Sequence, residues 1–460
     1  MTWPVAAAQA QALLDRLLTP DISGLRNEPG VTVTSRSRPD YDYRGVRVGS
    51  LLVRPVLTEA VGYDDNVTGT ARARGSSLLV TRFDMQAATD LSRYSVAARL
   101  TVEDFRYFDV PQQSLTNWTA SLGGTYNIGR DTVSLRYSHV NLNQTPRDLD
   151  TPLLDSTIAY RIDTVQLGYA TTFNRLSLRP ELLVSNYDFD NGSVGGVPLL
   201  QTFRNRVTVT PGLVASYELA PRRNLVVAVR NSVAQYTDRP AGSPRRDFND
   251  ASLLAGVDFD ASGPWRYRVL VGYGVRTFSD RAFRTIQAPI FEGAVIYTPT
   301  GLTTLTGEVS RRIQDSASEA TEGLTETAVR FTVDHEYLRN VLLRARAGVA
   351  LSETSRGDGQ QTLYTAGAGA TWLLNRNMRL AATYDFATRQ SSNGVAAPLD
   401  RGLIGSGLTG SGLSGSGFGG YSLTGSGLSG SGLGGSTQTG SRLGGTYTGS
   451  QYLLQLSFGL

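Results

Sequence analysis

Along the last ten residues, Gln451 to Leu460, Tyr452, Leu454, Leu456, Phe458 and Leu460 alternate with Leu453, Gln455, Ser457 and Gly459. Alternation with a period of two marks a strand with one apolar face. The rhythm recurs upstream. Over 341–354, Leu343, Ala345, Ala347, Val349 and Leu351 fall on one face, and Arg344, Arg346, Gly348, Ala350 and Ser352 on the other. Over 376–390, Leu380, Ala382, Tyr384 and Phe386 oppose Arg379, Thr383, Asp385 and Arg389. Over 264–279, Tyr267, Val269, Val271, Tyr273 and Val275 oppose Arg266, Arg268, Gly272 and Arg276. A face that is charged on strand after strand cannot be a dry core, because unpaired charge withdrawn from water is too costly. That face is expected to line water and the apolar face to meet lipid.

The pattern predicts about 18 strands (16–18) between residues 46 and 460, each with the ten or so residues that a tilted strand needs to cross a bilayer. Connections alternate in length. Asn127-Ile128-Gly129-Arg130, Phe173-Asn174-Arg175, Thr298-Pro299-Thr300-Gly301 and Leu338-Arg339-Asn340 are short and rich in turn formers, whereas 145–157, 190–202 and 238–249 are longer and polar. The fold expected is all-β: an antiparallel transmembrane β-barrel with short periplasmic turns and longer external loops. Closing the final strand on the first removes both open edges. Tyr63, Tyr126, Trp265, Tyr337, Trp372 and Tyr452 are placed to form interfacial girdles.

Composition agrees with a barrel. Apolar residues make up 40% of the 460, and no run of 18 or more of them exists to form a helical span. A transmembrane barrel escapes that test because every second residue faces water. With no cysteine there is neither a disulfide framework nor a thiolate metal site. The chain holds no lysine, so its 44 basic residues are all arginine. GC-rich codon usage accounts for this, and so does the bidentate bonding of Arg to phosphate and carboxylate. A net charge of +4 on a chain of this length does not call for nucleic acid.

Ten residues are the pore-lining candidates: Arg99, Glu103, Arg136, Arg266, Arg268, Arg276, Arg344, Arg346, Arg379 and Asp385. A wall so rich in arginine predicts a preference for anionic solutes. Asp64, Asp65 and Asn66 are weak candidates for Ca²⁺ ligands, which a polar turn explains equally well. Ser138 and His139 are adjacent in a strand, point to opposite faces and so cannot form a hydrolytic dyad. His335 shares the side of Phe331 and Val333, an interfacial position. With no phosphate loop, paired zinc ligands or nucleic-acid motif, neither enzymatic activity nor a cofactor is expected.

Residues 1–45 are expected to be an N-terminal periplasmic extension. Ala8-Gln9-Ala10 has the form of a signal-peptidase site but lacks the basic and apolar stretches that should precede it. The expectation is a signal peptide upstream of the present start; the alternative is a short helix from Ala6 to Leu18. Residues 391–449 repeat a Gly-Ser-Gly-Leu unit and form an external Gly/Ser-rich loop by parity. Its readings are a tolerant loop expanded by repeat slippage, a gate in the mouth, or stacked β-roll turns.

Two resemblances add to this. The final strand, with Tyr452, Leu454, Leu456, Phe458 and Leu460, resembles the closing strand of bacterial outer-membrane barrels, which the barrel-assembly machinery reads; the usual terminal Phe is here third from the end. Arg38-Pro39-Asp40-Tyr41-Asp42, the strand with Gly49 and Pro55, and Tyr63-Asp64-Asp65-Asn66 resemble the "putative β-barrel porin 2" family, most sharply over 34–67. That resemblance implies a bacterial outer-membrane barrel in contact with lipid and lipopolysaccharide. Because members are often found with exopolysaccharide production systems, it also implies exopolysaccharide or its export components as partners. Two functional expectations stand: a passive pore or conduit, and a non-conducting structural or docking barrel.

Overall fold

The computed structural model describes residues 32–89, 91, 93–147, 155–194, 196–238, 244–260, 263–314, 323–355, 359–392, 405–409, 429–433 and 446–460. Eighteen strands close into one antiparallel sheet. They are β1 Leu51–Asp64, β2 Ser76–Thr89, β3 Tyr94–Tyr107, β4 Leu115–Ile128, β5 Asp131–Gln144 and β6 Ile158–Phe173. Then follow β7 Leu176–Phe189, β8 Arg206–Ala220, β9 Arg223–Tyr236, β10 Phe248–Phe259, β11 Trp265–Phe278 and β12 Ile286–Thr300. The last six are β13 Thr303–Gln314, β14 Leu324–Leu338, β15 Val341–Thr354, β16 Gln360–Leu373, β17 Met378–Ser392 and β18 Tyr447–Gly459.

Each strand pairs with its neighbours in sequence, and β18 closes the ring. Gly459 lies opposite Val56 and Tyr452 opposite Tyr63 on one side, with Phe458 opposite Met378 on the other. Closure leaves no strand of the barrel with an open edge. The expected first strand from residue 46 is interrupted. Val46–Val48 is a separate short strand that turns back at Gly49 and pairs with Leu51–Val53. Gly49 has φ +62°, a left-handed conformation that glycine adopts without penalty. Because β18 stops opposite Val56, the short strand fills the remaining edge of β1, and Gly45 N–H donates to the carbonyl of Leu460 at 2.7 Å.

At one end the connections are two to five residues long. Asn174 (φ 54°) and Arg222 (φ 63°) take left-handed positions in two-residue turns. The other end carries the longer loops, so the short-turn end is periplasmic in the outer-membrane arrangement. Of the Gly/Ser-rich stretch, Gly405–Thr409 and Ser429–Leu433 pair as a small ladder. The remainder of 393–445, like Ala8-Gln9-Ala10 and the expected helix at 6–18, lies outside the described residues.

The two walls separate by parity. Leu122, Leu135, Val165, Leu167, Val229, Leu253, Val271, Leu454 and Leu456 stand exposed on the outside. An apolar belt this continuous requires lipid. Tyr384 and Tyr452 lie 4.9 Å apart beside Tyr63, and Trp265 stacks on Tyr297 at 4.0 Å, within aromatic rows of that belt. Near the external ends of the strands the sidedness reverses. Arg161, Asp163, Asp188 and Asp190 point outward, while Val140, Leu142, Tyr160, Ile162, Tyr187 and Phe189 form a buried inward cluster. Strands of 12 to 16 residues outrun the bilayer. Beyond it, water is outside and packed loops are within.

Candidate functional site: the lumen and its two mouths

The structure places all ten candidate residues on the inward parity of their strands. It does not gather them into one site; they spread along the wall, mostly as cross-strand ion pairs. Arg99 meets Asp84 at 2.7 Å and Arg276 meets Asp250 at 2.7 Å. Arg344 meets Asp334 at 2.7 Å, Arg346 meets Asp385, and Glu103 meets Arg82. Arg266 lies 2.9 Å from Asp260. Arg268 is buried. Arg379 donates to the carbonyl of Tyr41 at 3.2 Å and lies 4.1 Å above the Tyr43 ring. Arg136 makes no ion pair among the described residues, nor does Arg230 on the same inner wall, which sequence reasoning missed.

At the periplasmic mouth, the described part of the N-terminal stretch, residues 32–43, docks against the inner wall. Val33 packs on Leu342 and Leu373 of the inner wall with Tyr41 beside it, and its N–H donates to Thr304 Oγ1 at 3.0 Å. Arg38 and Arg36 converge on the carboxylate of Glu336. The segment is drawn in because it brings apolar side chains to an apolar patch and cations to a wall carboxylate. Burial pushes the Tyr43 hydroxyl pKa up, with Arg379 opposing. Between segment and wall, an open cleft is lined by Val33, Thr34, Asp334, Arg344, Arg346 and Thr383.

At the external mouth, Arg147, just past β5, crosses to the far side of β2–β4. Its guanidinium pairs with fully buried Asp64 and donates to the carbonyl of Asn66 at 2.7 Å, and its own carbonyl accepts from Tyr447 Oη at 3.2 Å. Asp65 accepts from Ser450 N–H at 2.6 Å, and the Asn66 amide donates to the carbonyls of Thr70 and Thr448. The three candidate Ca²⁺ ligands are therefore each bonded to protein. Among the described residues no cluster of three acidic or histidine side chains could hold a metal.

Ser138 points inward and His139 outward, where His139 bonds Asp163 at 2.7 Å and stacks on Trp118 at 4.5 Å. His335 bonds Thr303 Oγ1 at 2.9 Å. Among the described residues no helix is long and apolar enough to cross a membrane, so any crossing falls to the strands.

A closed ring with a lipid-facing belt and a charged lumen defines a porin-like barrel of the outer-membrane type. The chain belongs to the "putative β-barrel porin 2" family, whose model matches residues 38–409. Among solved structures it is similar to the FrpB iron transporter of Neisseria meningitidis (F5-1 variant) at 8% identity, over 88% of this chain and 82% of that chain, with a TM-score of 0.45. It is also similar to a BenF-like porin from Pseudomonas fluorescens Pf-5 at 9% identity, over 90% of this chain and 100% of that chain, with a TM-score of 0.43. A third is the copper transporter OprC at 10% identity, over 90% of this chain and 81% of that chain, with a TM-score of 0.42. No curated protein matches the chain.

Proposed function

We propose that the protein is a passive pore or conduit of the bacterial outer membrane that favours anionic solutes, with exopolysaccharide as the cargo class its family suggests. One observation supports this above others: behind a lipid-facing apolar wall, strand after strand carries inward charged side chains, and pairs such as Arg99–Asp84 and Arg344–Asp334 keep part of their surface open to the lumen. Barrels of 16 to 18 strands are wide enough to hold an aqueous channel. Arg136, without an ion pair among the described residues, adds positive charge to the inner wall. Reversal potentials across a salt gradient test the reading; anion selectivity is expected, and cation selectivity counts against it.

A non-conducting docking barrel is the second reading, favoured by the two segments that cross the mouths at Val33–Arg38 and Arg147. Under it, a folded protein, verified by heat-dependent gel mobility, stays silent in a bilayer.

A further inference from the structure

Above the lumen, the turn Thr202–Arg204 brings one arginine into the aromatic cluster of the external mouth. Arg204 is fully buried, and its guanidinium lies 3.7 Å above the Phe189 ring. Nη1 donates to Gln144 Oε1 at 2.8 Å and to Gln201 Oε1 at 3.0 Å. Nε and Nη2 have no partner, and Arg204 makes no ion pair among the described residues. Among the described residues, the amide nitrogens of Gln144 and Gln201 are also buried without partners. Arg206, 4.2 Å above Tyr187, and Arg246, beside Tyr236, add positive charge nearby. Burial, then repulsion from Arg206 and Arg246, holds the Arg204 pKa well below the ordinary arginine range.

A buried guanidinium left like this is costly, and the cost falls when an anion completes it. Nε and Nη2 form the side edge of the guanidinium, two parallel donors spaced for two oxygens of one group. All the unpartnered atoms named here are donors, so the missing partner is an acceptor. We infer that Arg204 is the centre of an oxyanion-binding site at the external mouth, built to take the carboxylate or phosphate group of a solute edge-on. The site binds whether or not the barrel conducts, so it does not rest on the pore reading. Ser429–Leu433 of the small Gly/Ser ladder lies beside the Thr202–Arg204 turn.

The test is calorimetric titration of the full chain, refolded in detergent in a low-chloride buffer, with glucuronate, inorganic phosphate, chloride and glucose. Glucuronate or phosphate should bind saturably and one-to-one, with glucose silent and chloride much weaker. Arg204→Gln should weaken binding at least about tenfold, the loss expected for a charge-assisted pair. Arg204→Lys, which keeps the charge and loses the fork, should fall between the two and guards against misfolding of the first variant; gel mobility checks both. Binding of glucose as tight as that of glucuronate, chloride as tight as either oxyanion, no binding at all, or folded Arg204 variants that bind like wild type would each overturn the proposal.

Discussion

Both mouths of the barrel are crossed by a piece of chain, and each crossing is held by arginine on carboxylate, yet the two contacts have opposite mechanical meaning. At the external end the carboxylate, Asp64, belongs to the wall and is fully buried, and Arg147 follows directly on the end of β5. That crossing ties wall to wall. At the periplasmic end the wall again supplies the carboxylate, Glu336, but the arginines sit on a segment that, among the described residues, continues into the barrel through Val46–Val48 and β1. Residues 32–43 can leave the lumen without unfolding a strand, whereas Arg147 cannot leave Asp64 without stranding a buried charge.

The largest effect should come from the external tie. Arg147→Ala strands Asp64 and should cost about 3–5 kcal/mol, the loss seen when one partner of a buried ion pair is removed. Urea unfolding followed by gel mobility measures it, and Asp64→Asn in the same chain should restore much of the loss. An Arg147→Ala barrel as stable as wild type would erase the difference between the mouths. Glu336→Gln should cost less, roughly 1.5–3 kcal/mol of charge-assisted bonding, and all of it local. Trypsin should then cut after Arg36 or Arg44 while the barrel keeps its folded mobility; loss of the folded band would show that this contact too is a wall tie.

A third test sits on the seam between β1 and β18. A Cβ at Gly62 would fall 1.9 Å from the Tyr452 carbonyl oxygen, so Gly62→Val should cost about 1–3 kcal/mol by overpacking. Closure of the ring should suffer and the periplasmic segment should not. Smallest is Arg36→Ala. With its side chain 29% exposed, Arg36 should contribute under about 1 kcal/mol, and trypsin sensitivity at Arg44 should barely change.

Much of this was legible in the chain and some was not, for one physical reason. Alternation reports which face a residue takes, so strand number, closure by Tyr452 to Phe458, the lipid-facing belt and the inward parity of Arg344, Arg346 and Asp385 could all be read. It cannot report what lies opposite across the lumen. Arg38 meets Glu336 and Arg147 meets Asp64 across sequence separations of 298 and 83 residues, and no local pattern carries that information. Motifs held part of the signal. Arg38-Pro39-Asp40-Tyr41-Asp42 and Asp64-Asp65-Asn66, singled out for resemblance or for metal, are the parts that dock the N-terminal segment and tie the external mouth. Arg204 was missed because it lies off the strands, where parity says nothing. The break at Gly49 was missed because Val46 and Val48 keep the alternation right through it.

The most direct test of a wet, anion-favouring lumen is single-channel recording of the refolded full chain in a planar bilayer, alongside Glu336→Gln and a chain lacking residues 400–446. Steady current is expected, with a reversal potential on the anion side that persists in both variants and a larger conductance once the periplasmic segment is released. Silence from all three folded proteins, or a cation-side reversal potential, would contradict the account.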